Sequence, residues 1–142
     1  MLLTDVNVLI YAFRPEAVDH SRYKAWLDDV MNGDEPYGVS ELALSGFLRI
    51  VTHPNIFVPP SALEAALDFV GVLRNQPNCV VQRPGPRHWD IFTSLCRAVS
   101  ATGKLVSDAY LAALAIESGS EWITTDRDFR VFPGHRWRHP LS

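Results

Sequence analysis

Short apolar segments alternate with longer amphipathic segments along the chain, and this order restricts the possible folds more than any other feature of the sequence. The segments that predict strands cover residues 2–6, 36–39, 79–82 and 122–125, with a last short strand near Trp137. The segments that predict helices cover residues 16–31, 41–52, 61–74, 87–102 and 107–118. Strands that are separated by helices pair in parallel. The sequence therefore predicts an α/β fold, with a small parallel sheet and helices on both faces.

The length of the chain bounds its organisation. It has 142 residues, of which 47% are hydrophobic, and a chain of this size buries one sizeable core. We find no internal repeat and no composition shift typical of a linker. We therefore expect a single domain over residues 1–142.

Cysteine usage and hydropathy indicate where the protein works. Cys79 and Cys96 lie in apolar contexts without metal-ligand spacing, which is typical of buried free thiols in a reducing cytosol. No basic segment followed by an apolar one resembles a signal peptide, and no apolar run has the length that a bilayer requires. We expect a cytoplasmic protein that does not enter membranes.

The charge is small in total but uneven along the chain. The formal net charge of −3 neither indicates nor excludes nucleic-acid binding, because a local basic patch matters more than the sum. Residues 1–41 contain eight acidic and three basic side chains, whereas residues 127–142 contain four arginines and the single acid Asp128. The first segment is a candidate for binding a cation, and the second is a candidate for binding an anion.

One aspartate stands inside an apolar run at the start of the chain. Asp5 occurs in the stretch MLLTDVNVLIYAF, where most neighbours favour burial. An ionised carboxylate that is buried without a partner costs several kcal/mol. Asp5 therefore either caps a helix that begins near Val6, or ends a buried strand and points into a site.

Three further acids stand at the ends of predicted elements. Glu41 opens the helix after the second strand, Asp108 follows the helix cap predicted at Ser107, and Asp126 follows the fourth strand. Sites in open parallel sheets form outside the carboxyl ends of the strands, so we expect these acids to meet Asp5 at one edge. Each acid taken alone also has a structural explanation, since helix first turns favour acids and Asx turns use aspartate.

Four carboxylates at one edge repel one another unless a cation binds among them or some are protonated. Oxygen donors suit Mg²⁺ or Mn²⁺, whereas the five scattered histidines do not suit Zn²⁺. A divalent ion in an open carboxylate site activates water and neutralises the charge of a phosphoryl group. The acids therefore predict hydrolysis of phosphodiester bonds.

The same stretches resemble a known family across essentially the whole chain. The matching segments are LLTDVNVLIYA, SELALSGFLRIVTHP, LVSDAYLAALAIESG and WITTDRDFRVFPGHRW. In this order and spacing they resemble the PIN-domain ribonucleases, and within them the VapC toxins of type II toxin–antitoxin pairs. Val6 is a departure, because many relatives have Thr or Ser between the aspartate and the asparagine.

The resemblance implies a PIN-like fold, a parallel sheet of about five strands and Mg²⁺-dependent endoribonuclease activity, with Mn²⁺ as a possible substitute. The acidic quartet of the family maps to Asp5, Glu41, Asp108 and Asp126, which we expect to be both the catalytic and the metal-binding residues. Asp5 and Asp108 would hold the principal metal ion, and Glu41 and Asp126 would complete its coordination directly or through water. The residues expected to orient these groups are Asn7, Thr124 and Asp128.

The resemblance also implies partners. They are an RNA substrate, a small cognate antitoxin protein encoded beside the toxin, and a second copy of the chain in a homodimer. The side chains that we consider for contacts with RNA phosphates are Arg49, Arg127, Arg130, Arg136 and Arg138. For the pair Arg136 and Arg138, a solvated terminal strand explains the charge equally well.

Three other functions are alternatives, and the residues argue against each of them. A phosphoacceptor receiver domain has adjacent acids after its first strand and a late lysine, where this chain has Asp5-Val6-Asn7 and Asp126. A haloacid-dehalogenase-like phosphatase needs Asp-x-Asp, and Asn7 breaks that pattern. A non-catalytic RNA-binding module would keep the fold without using the acids.

Overall fold

The computed structural model describes residues 1–142 and contains one five-stranded sheet. The strands are β1 (Leu2–Thr4), β2 (Tyr37–Val39), β3 (Cys79–Val81), β4 (Glu121–Ile123) and β5 (Trp137–Arg138). Their order across the sheet is β3-β2-β1-β4-β5, and every neighbouring pair is parallel. The predicted small parallel sheet is therefore confirmed.

Helices fill the connections between successive strands. They are α1 (Val6–Phe13), α2 (His20–Asn32), α3 (Glu41–Val51), α4 (Leu63–Arg74), α5 (His88–Val99) and α6 (Lys104–Ser118), followed by a 3-10 helix (Arg127–Val131) after β4. None of the helices is both long and apolar enough to cross a bilayer.

The helices cover both faces of the sheet, as predicted. Trp122 and Ile123 are adjacent on β4 and fully buried, and adjacent residues of a strand point to opposite faces. Ile123 joins a core cluster built from α1, α2, α3, α4 and β2, whereas Trp122 joins a second cluster built from α5, α6 and the 3-10 helix. Two separate cores thus fix the sheet between two helical layers.

The first segment of the chain differs from the prediction. Residues 2–6 were predicted as one strand, but β1 ends at Thr4 and α1 begins at Val6. Asp5 lies between the two elements, and its side chain accepts the Val6 backbone N–H as the helix cap. Asp5 therefore ends a strand, as one interpretation predicted, and caps a helix, as the other predicted.

The helix that carries Asp108 also begins earlier than predicted. Its cap is Gly103 rather than Ser107, and Gly103 has a positive φ of 58° that glycine adopts at little cost. Asp108 consequently lies in the second turn of α6 instead of the first. Two other boundaries shift inward where residues with positive φ break the helical pattern, at Asp19 before α2 and at Ser100 after α5.

Candidate functional site

Three of the four predicted acids come together at the carboxyl edge of the sheet. Asp5 follows β1, Asp126 follows β4, and Asp108 lies on α6. The three acids are linked by shared partners, because Lys104 contacts both Asp108 and Asp126, and the Thr124 hydroxyl contacts both Asp5 and the backbone N–H of Asp126. Asp5 and Asp108 are buried, with 6% and 7% of their surface exposed. We call these three side chains the carboxylate pocket.

The carboxylate of Asp5 is held by three hydrogen-bond donors. Its Oδ1 accepts the Val6 backbone N–H at 2.7 Å. Its Oδ2 accepts the Thr124 hydroxyl at 2.6 Å and the Asn7 side-chain amide at 3.1 Å. Because each oxygen has a partner, a buried and ionised carboxylate is tolerated here. Asn7 and Thr124 thus contact the acid that we expected them to orient.

Thr124 connects two acids of the carboxylate pocket. Its fully buried hydroxyl donates to Asp5 and accepts the backbone N–H of Asp126 at 3.0 Å. The Asp126 carboxylate in turn accepts the backbone N–H of Asp128 at 2.9 Å, which caps the 3-10 helix. The contribution of Asp128 to this contact comes from its backbone, and its side chain makes no hydrogen bond. The side-chain role that we predicted for Asp128 stays a prediction.

A lysine that sequence reasoning missed enters the carboxylate pocket. The Lys104 ammonium lies 2.8 Å from Oδ2 of Asp108 and 2.8 Å from Oδ2 of Asp126. Its side chain remains 67% exposed. The available signal was the four-residue spacing between Lys104 and Asp108, which pairs side chains on a helix. The predicted helix began at 107, however, and therefore left Lys104 outside it.

Glu41, the fourth predicted acid, is directed elsewhere. It opens α3 after β2, and so lies at the same edge of the sheet. Its half-exposed carboxylate pairs with Arg74 at 3.0 Å and with Arg83 at 3.4 Å. It has no contact with the other three acids. The structure therefore brings Asp5, Asp108 and Asp126 together and leaves Glu41 outside the cluster.

The three acids differ in their affinity for protons. Burial raises the pKa of Asp5 to about 6, helped by repulsion from Asp108 and Asp126 and opposed by its hydrogen bonds. Burial also raises the pKa of Asp108, against the hydrogen bond from Lys104. The pKa of Asp126 is lowered, because the hydrogen bonds from Lys104 and the Asp128 N–H outweigh its burial. Asp5 is thus the acid that most needs a cation at neutral pH.

The raised pKa of Asp5 predicts that the folded protein loses stability as the pH rises from about 4 to about 6. Folding raises this pKa from 3.8 to about 6, so the folded state binds more protons than the unfolded state in this window. The free energy of unfolding should fall by up to about 3 kcal/mol from this group alone. Denaturant unfolding in EDTA, from about pH 4 to about pH 7, measures the slope.

The matched comparison for this prediction is Asp5→Asn. Its pH slope should be flatter than that of the wild type in the same window. The pH slope is compared rather than the free energy of unfolding at one pH. The side-chain amide that the variant has at position 5 faces the donors of Asn7 and Thr124, and this lowers the stability at every pH. Burial lowers the pKa of His135, which makes the free energy of unfolding rise with pH. Subtracting the slope of Asp5→Asn from the slope of the wild type removes this contribution, because both proteins contain His135. Equal slopes for the two proteins would contradict a raised pKa at Asp5.

The carboxylate pocket suits a divalent cation in its chemistry. No set of three or more Asp, Glu, His or Cys side chains is already arranged around a metal position. The donors are nevertheless all oxygens, the preference of Mg²⁺ and Mn²⁺. Two of them already share one cation, the Lys104 ammonium, whose exposed side chain is free to move away. The residues therefore fit a metal ion that takes the place of this ammonium.

Comparison with known proteins gives concordant matches. The model of the family described as PIN domain matches residues 2–134. The VapC ribonuclease Mb2897 of Mycobacterium bovis is 42% identical over 142 residues, which is all of this chain and 97% of the relative. Ribonuclease VapC25 of Mycobacterium tuberculosis is 37% identical over 140 residues, which cover 99% of each protein.

Solved structures share the fold at low sequence identity. VapBC2 from Rickettsia felis, bound to a DNA fragment from its promoter, aligns with a TM-score of 0.71 at 12% identity, over 97% of each chain. VapC20 of Mycobacterium tuberculosis, described as a toxin that cleaves the sarcin-ricin loop, gives a TM-score of 0.66 at 15% identity, over 96% of this chain and 99% of that one. The predicted PIN-like fold is confirmed.

Proposed function

This chain belongs to the PIN-domain family, among its VapC ribonucleases, and from that premise we propose that it is a Mg²⁺-dependent endoribonuclease that hydrolyses RNA phosphodiester bonds. The observation that carries the proposal is the carboxylate pocket. Three acids from separate parts of the chain converge there, and two of them share the Lys104 ammonium. Carboxylates that gather around one cation at the carboxyl edge of a parallel sheet suit phosphodiester hydrolysis.

The metal ligands that we propose are Asp5 and Asp108, with Asp126 and Glu41 completing the site directly or through water. A bound Mg²⁺ would activate a water molecule and neutralise charge on the phosphoryl group. The protein itself keeps Asp5 ionised and fixed in direction through Thr124, Asn7 and the Val6 N–H. Mn²⁺ has the same ligand preference and is expected to substitute.

Two salt bridges hold the Glu41 carboxylate away from the other three acids. Its carboxylate would have to leave Arg74 and Arg83 to reach a metal ion, and its half-exposed position allows that movement. Exposed ion pairs of this kind are worth at most about 1 kcal/mol each, so they are a small barrier. We therefore keep Glu41 in the proposed site as an outer member.

The relatives also support partners for this chain. Structures of similar fold are toxin–antitoxin complexes, and we propose that a small antitoxin protein neutralises this chain as well. A homodimer, which rests on the resemblance, and a cytoplasmic location, which rests on the cysteine usage, complete the proposal. We propose residues 1–142 as one functional domain.

The direct test is cleavage of a mixed pool of cellular RNA by the purified protein. We expect cleavage with Mg²⁺ or Mn²⁺ and none in EDTA, with activity restored when the metal is added back. Mapping the cleaved ends would then identify the target RNA. Metal-independent cleavage would contradict the mechanism, and no cleavage of any RNA would favour a non-catalytic RNA-binding module.

Replacing Lys104 should make the protein bind Mg²⁺ more tightly. The Lys104→Gln variant removes the cation that competes for Asp108 and Asp126. We expect the Mg²⁺ concentration for half-maximal thermal stabilisation to fall by about 5-fold, since exposed ion pairs are worth up to about 1 kcal/mol. Thermal melts over a Mg²⁺ series in a chelator-washed buffer give this value.

A second lysine provides the control. Lys24 pairs with Asp28 at 2.8 Å with the same four-residue spacing and similar exposure, far along the chain from the carboxylate pocket. Lys24→Gln should leave the Mg²⁺ response unchanged. If Lys104→Gln and the wild type respond equally to Mg²⁺, the metal does not take the place of the ammonium.

A further inference from the structure

A basic pocket is lined by residues of the 3-10 helix that Asp126 caps and of the neighbouring strand β5. It has a volume of about 740 Å³. Its lining includes the arginines Arg22, Arg127, Arg130 and Arg138, together with the aromatic rings of Tyr23 and Trp137. Asp19 is the only acidic side chain in the lining. We call this cavity the arginine pocket.

The 3-10 helix joins the two pockets rigidly. Asp126, a member of the carboxylate pocket, caps this helix, and Arg127 is its first residue. Side chains three residues apart eclipse in a 3-10 helix, so Arg127 and Arg130 stand on one side. The buried Phe129 anchors the helix in the core next to Trp122. The cap and the anchor thus fix the backbone from which Arg127 and Arg130 project, close in the chain to Asp126.

Three of the four arginines of this pocket have few other partners, whereas Arg138 pairs with Glu121 at 3.2 Å. Arg127 and Arg130 are exposed and make no side-chain hydrogen bond or ion pair. Arg22 approaches Asp19 only at 3.9 Å. By contrast, Arg74 and Arg83 are both committed to Glu41. The unpaired guanidinium groups of Arg127 and Arg130, in one concave site, should attract an anion strongly.

We propose that the arginine pocket binds a phosphate of the RNA strand outside the scissile bond, through Arg127 and Arg130. This inference rests on the proposed ribonuclease function. The carboxylate pocket repels a polyanion, so a substrate that reaches it needs positive charge close by. The planar guanidinium group matches phosphate geometry, and the pocket is large enough for a nucleotide.

The aromatic lining favours RNA over an acidic peptide as the occupant. Tyr23 and Trp137 form walls of the same cavity, and single-stranded RNA presents unstacked bases beside each phosphate. An acidic peptide would use the arginines but has no planar group for the rings. The arginines of the pocket can therefore contact the phosphate of a nucleotide, and its aromatic rings can contact the base.

The test is RNA binding by the double variant Arg127→Gln/Arg130→Gln of the full chain. Fluorescence anisotropy in EDTA, with a labelled 12-nucleotide single-stranded RNA of mixed sequence, measures binding without cleavage. We expect the dissociation constant to rise by about 10-fold or more and the salt dependence to weaken by about 0.7 in slope per lost phosphate contact. Arg127→Lys/Arg130→Lys keeps the charge but loses the planar guanidinium group, so it should keep the salt dependence of the wild type and bind RNA more tightly than the glutamine variant does.

The charge-matched control is Lys24→Gln/Arg97→Gln. Both cations are exposed and lie outside the pocket, and the only ion pair that is lost is that of Lys24 with Asp28, so this variant should bind RNA almost as the wild type does. Equal weakening in the two double variants would mean that general charge holds the RNA and would overturn the proposal. The same holds if Arg127→Gln/Arg130→Gln keeps RNA binding and loses binding of a labelled deca-glutamate peptide.

The outcomes separate this proposal from the ribonuclease function. Asp5→Asn/Asp108→Asn should lose cleavage and keep the arginine-dependent RNA binding. If RNA binding depends on Arg127 and Arg130 while the wild type cleaves no RNA with Mg²⁺, the pocket is supported and the catalytic function fails. If the wild type cleaves RNA but binding is indifferent to both arginines, the pocket fails alone.

Discussion

The double variant Asp5→Asn/Asp108→Asn is expected to lose RNA cleavage, with a fall in rate of at least about 1,000-fold. These two acids are the most buried members of the carboxylate pocket and the proposed principal metal ligands. A metal ion supplies several kcal/mol of stabilisation to a phosphoryl transition state, and each 1.36 kcal/mol is a factor of ten in rate. Asparagine keeps the size of the side chain but removes the charge that holds the ion.

The measurement is the initial rate of cleavage of one defined RNA at saturating Mg²⁺. Asp34→Asn/Asp68→Asn is a suitable control, because both acids are exposed and have no side-chain partner. That variant should cleave as the wild type does. A double variant of Asp5 and Asp108 that is folded, free of contaminating nuclease and still active would rule out a metal ion held by these acids.

Thr124→Val is expected to lower both the stability and the activity of the protein. Valine has nearly the same shape as threonine, but it removes the hydroxyl that donates to Asp5 and accepts from the Asp126 N–H. Because Thr124 is fully buried, water does not readily replace its hydroxyl as the partner of the Asp5 carboxylate and of the Asp126 N–H. We expect a loss of about 2–3 kcal/mol in the free energy of unfolding and a fall of about 10–100-fold in activity.

Chemical denaturation and initial-rate assays on the same preparation measure both effects. Thr124→Ser keeps the hydroxyl and removes only a methyl group, so it should recover most of the activity. If the valine variant is as active as the serine variant, Thr124 does not orient Asp5. If the serine variant loses stability and the valine variant does not, the methyl group rather than the hydroxyl carries the effect.

The acids that meet at the carboxyl edge were predictable because topology alone puts them there. Parallel strands end at one edge, and Asp5 and Asp126 follow two strands that neighbour each other in the sheet. Asp108 was predicted from its place near the start of a buried helix, although that helix begins three residues earlier than expected. Errors in a boundary therefore did not prevent the cluster from being predicted.

The α1 helix was predicted only as one of the two alternatives for Asp5, because a segment of this length and composition fits a strand as well as a helix. Its eight residues, VNVLIYAF, are mostly apolar, and a short apolar run gives no period that separates a strand from a helix. The signal that decides is local, namely that Asp5 caps the helix as well as ending the strand. The hydrophobic pattern alone therefore does not determine the structure around Asp5, because this residue both ends β1 and caps α1.

The partners of Glu41 depend on contacts that a pattern does not contain. Arg74 and Arg83 lie 33 and 42 residues away along the chain, so their pairing with Glu41 follows from packing. The arginine pocket has the same origin. Its four arginines come from α2, the 3-10 helix and β5. The sequence suggested Arg127, Arg130 and Arg138 as contacts for RNA phosphates, but not the cavity that brings them together with Arg22.

The most direct test of the central claim is an anomalous diffraction map from crystals soaked in Mn²⁺. We predict a peak bonded to carboxylate oxygens of Asp5 and Asp108, at about 2.0–2.2 Å for an octahedral ion of this class, with the Lys104 ammonium displaced. A map from protein of proven cleavage activity that shows no peak at these acids, and leaves Lys104 between Asp108 and Asp126, would contradict it.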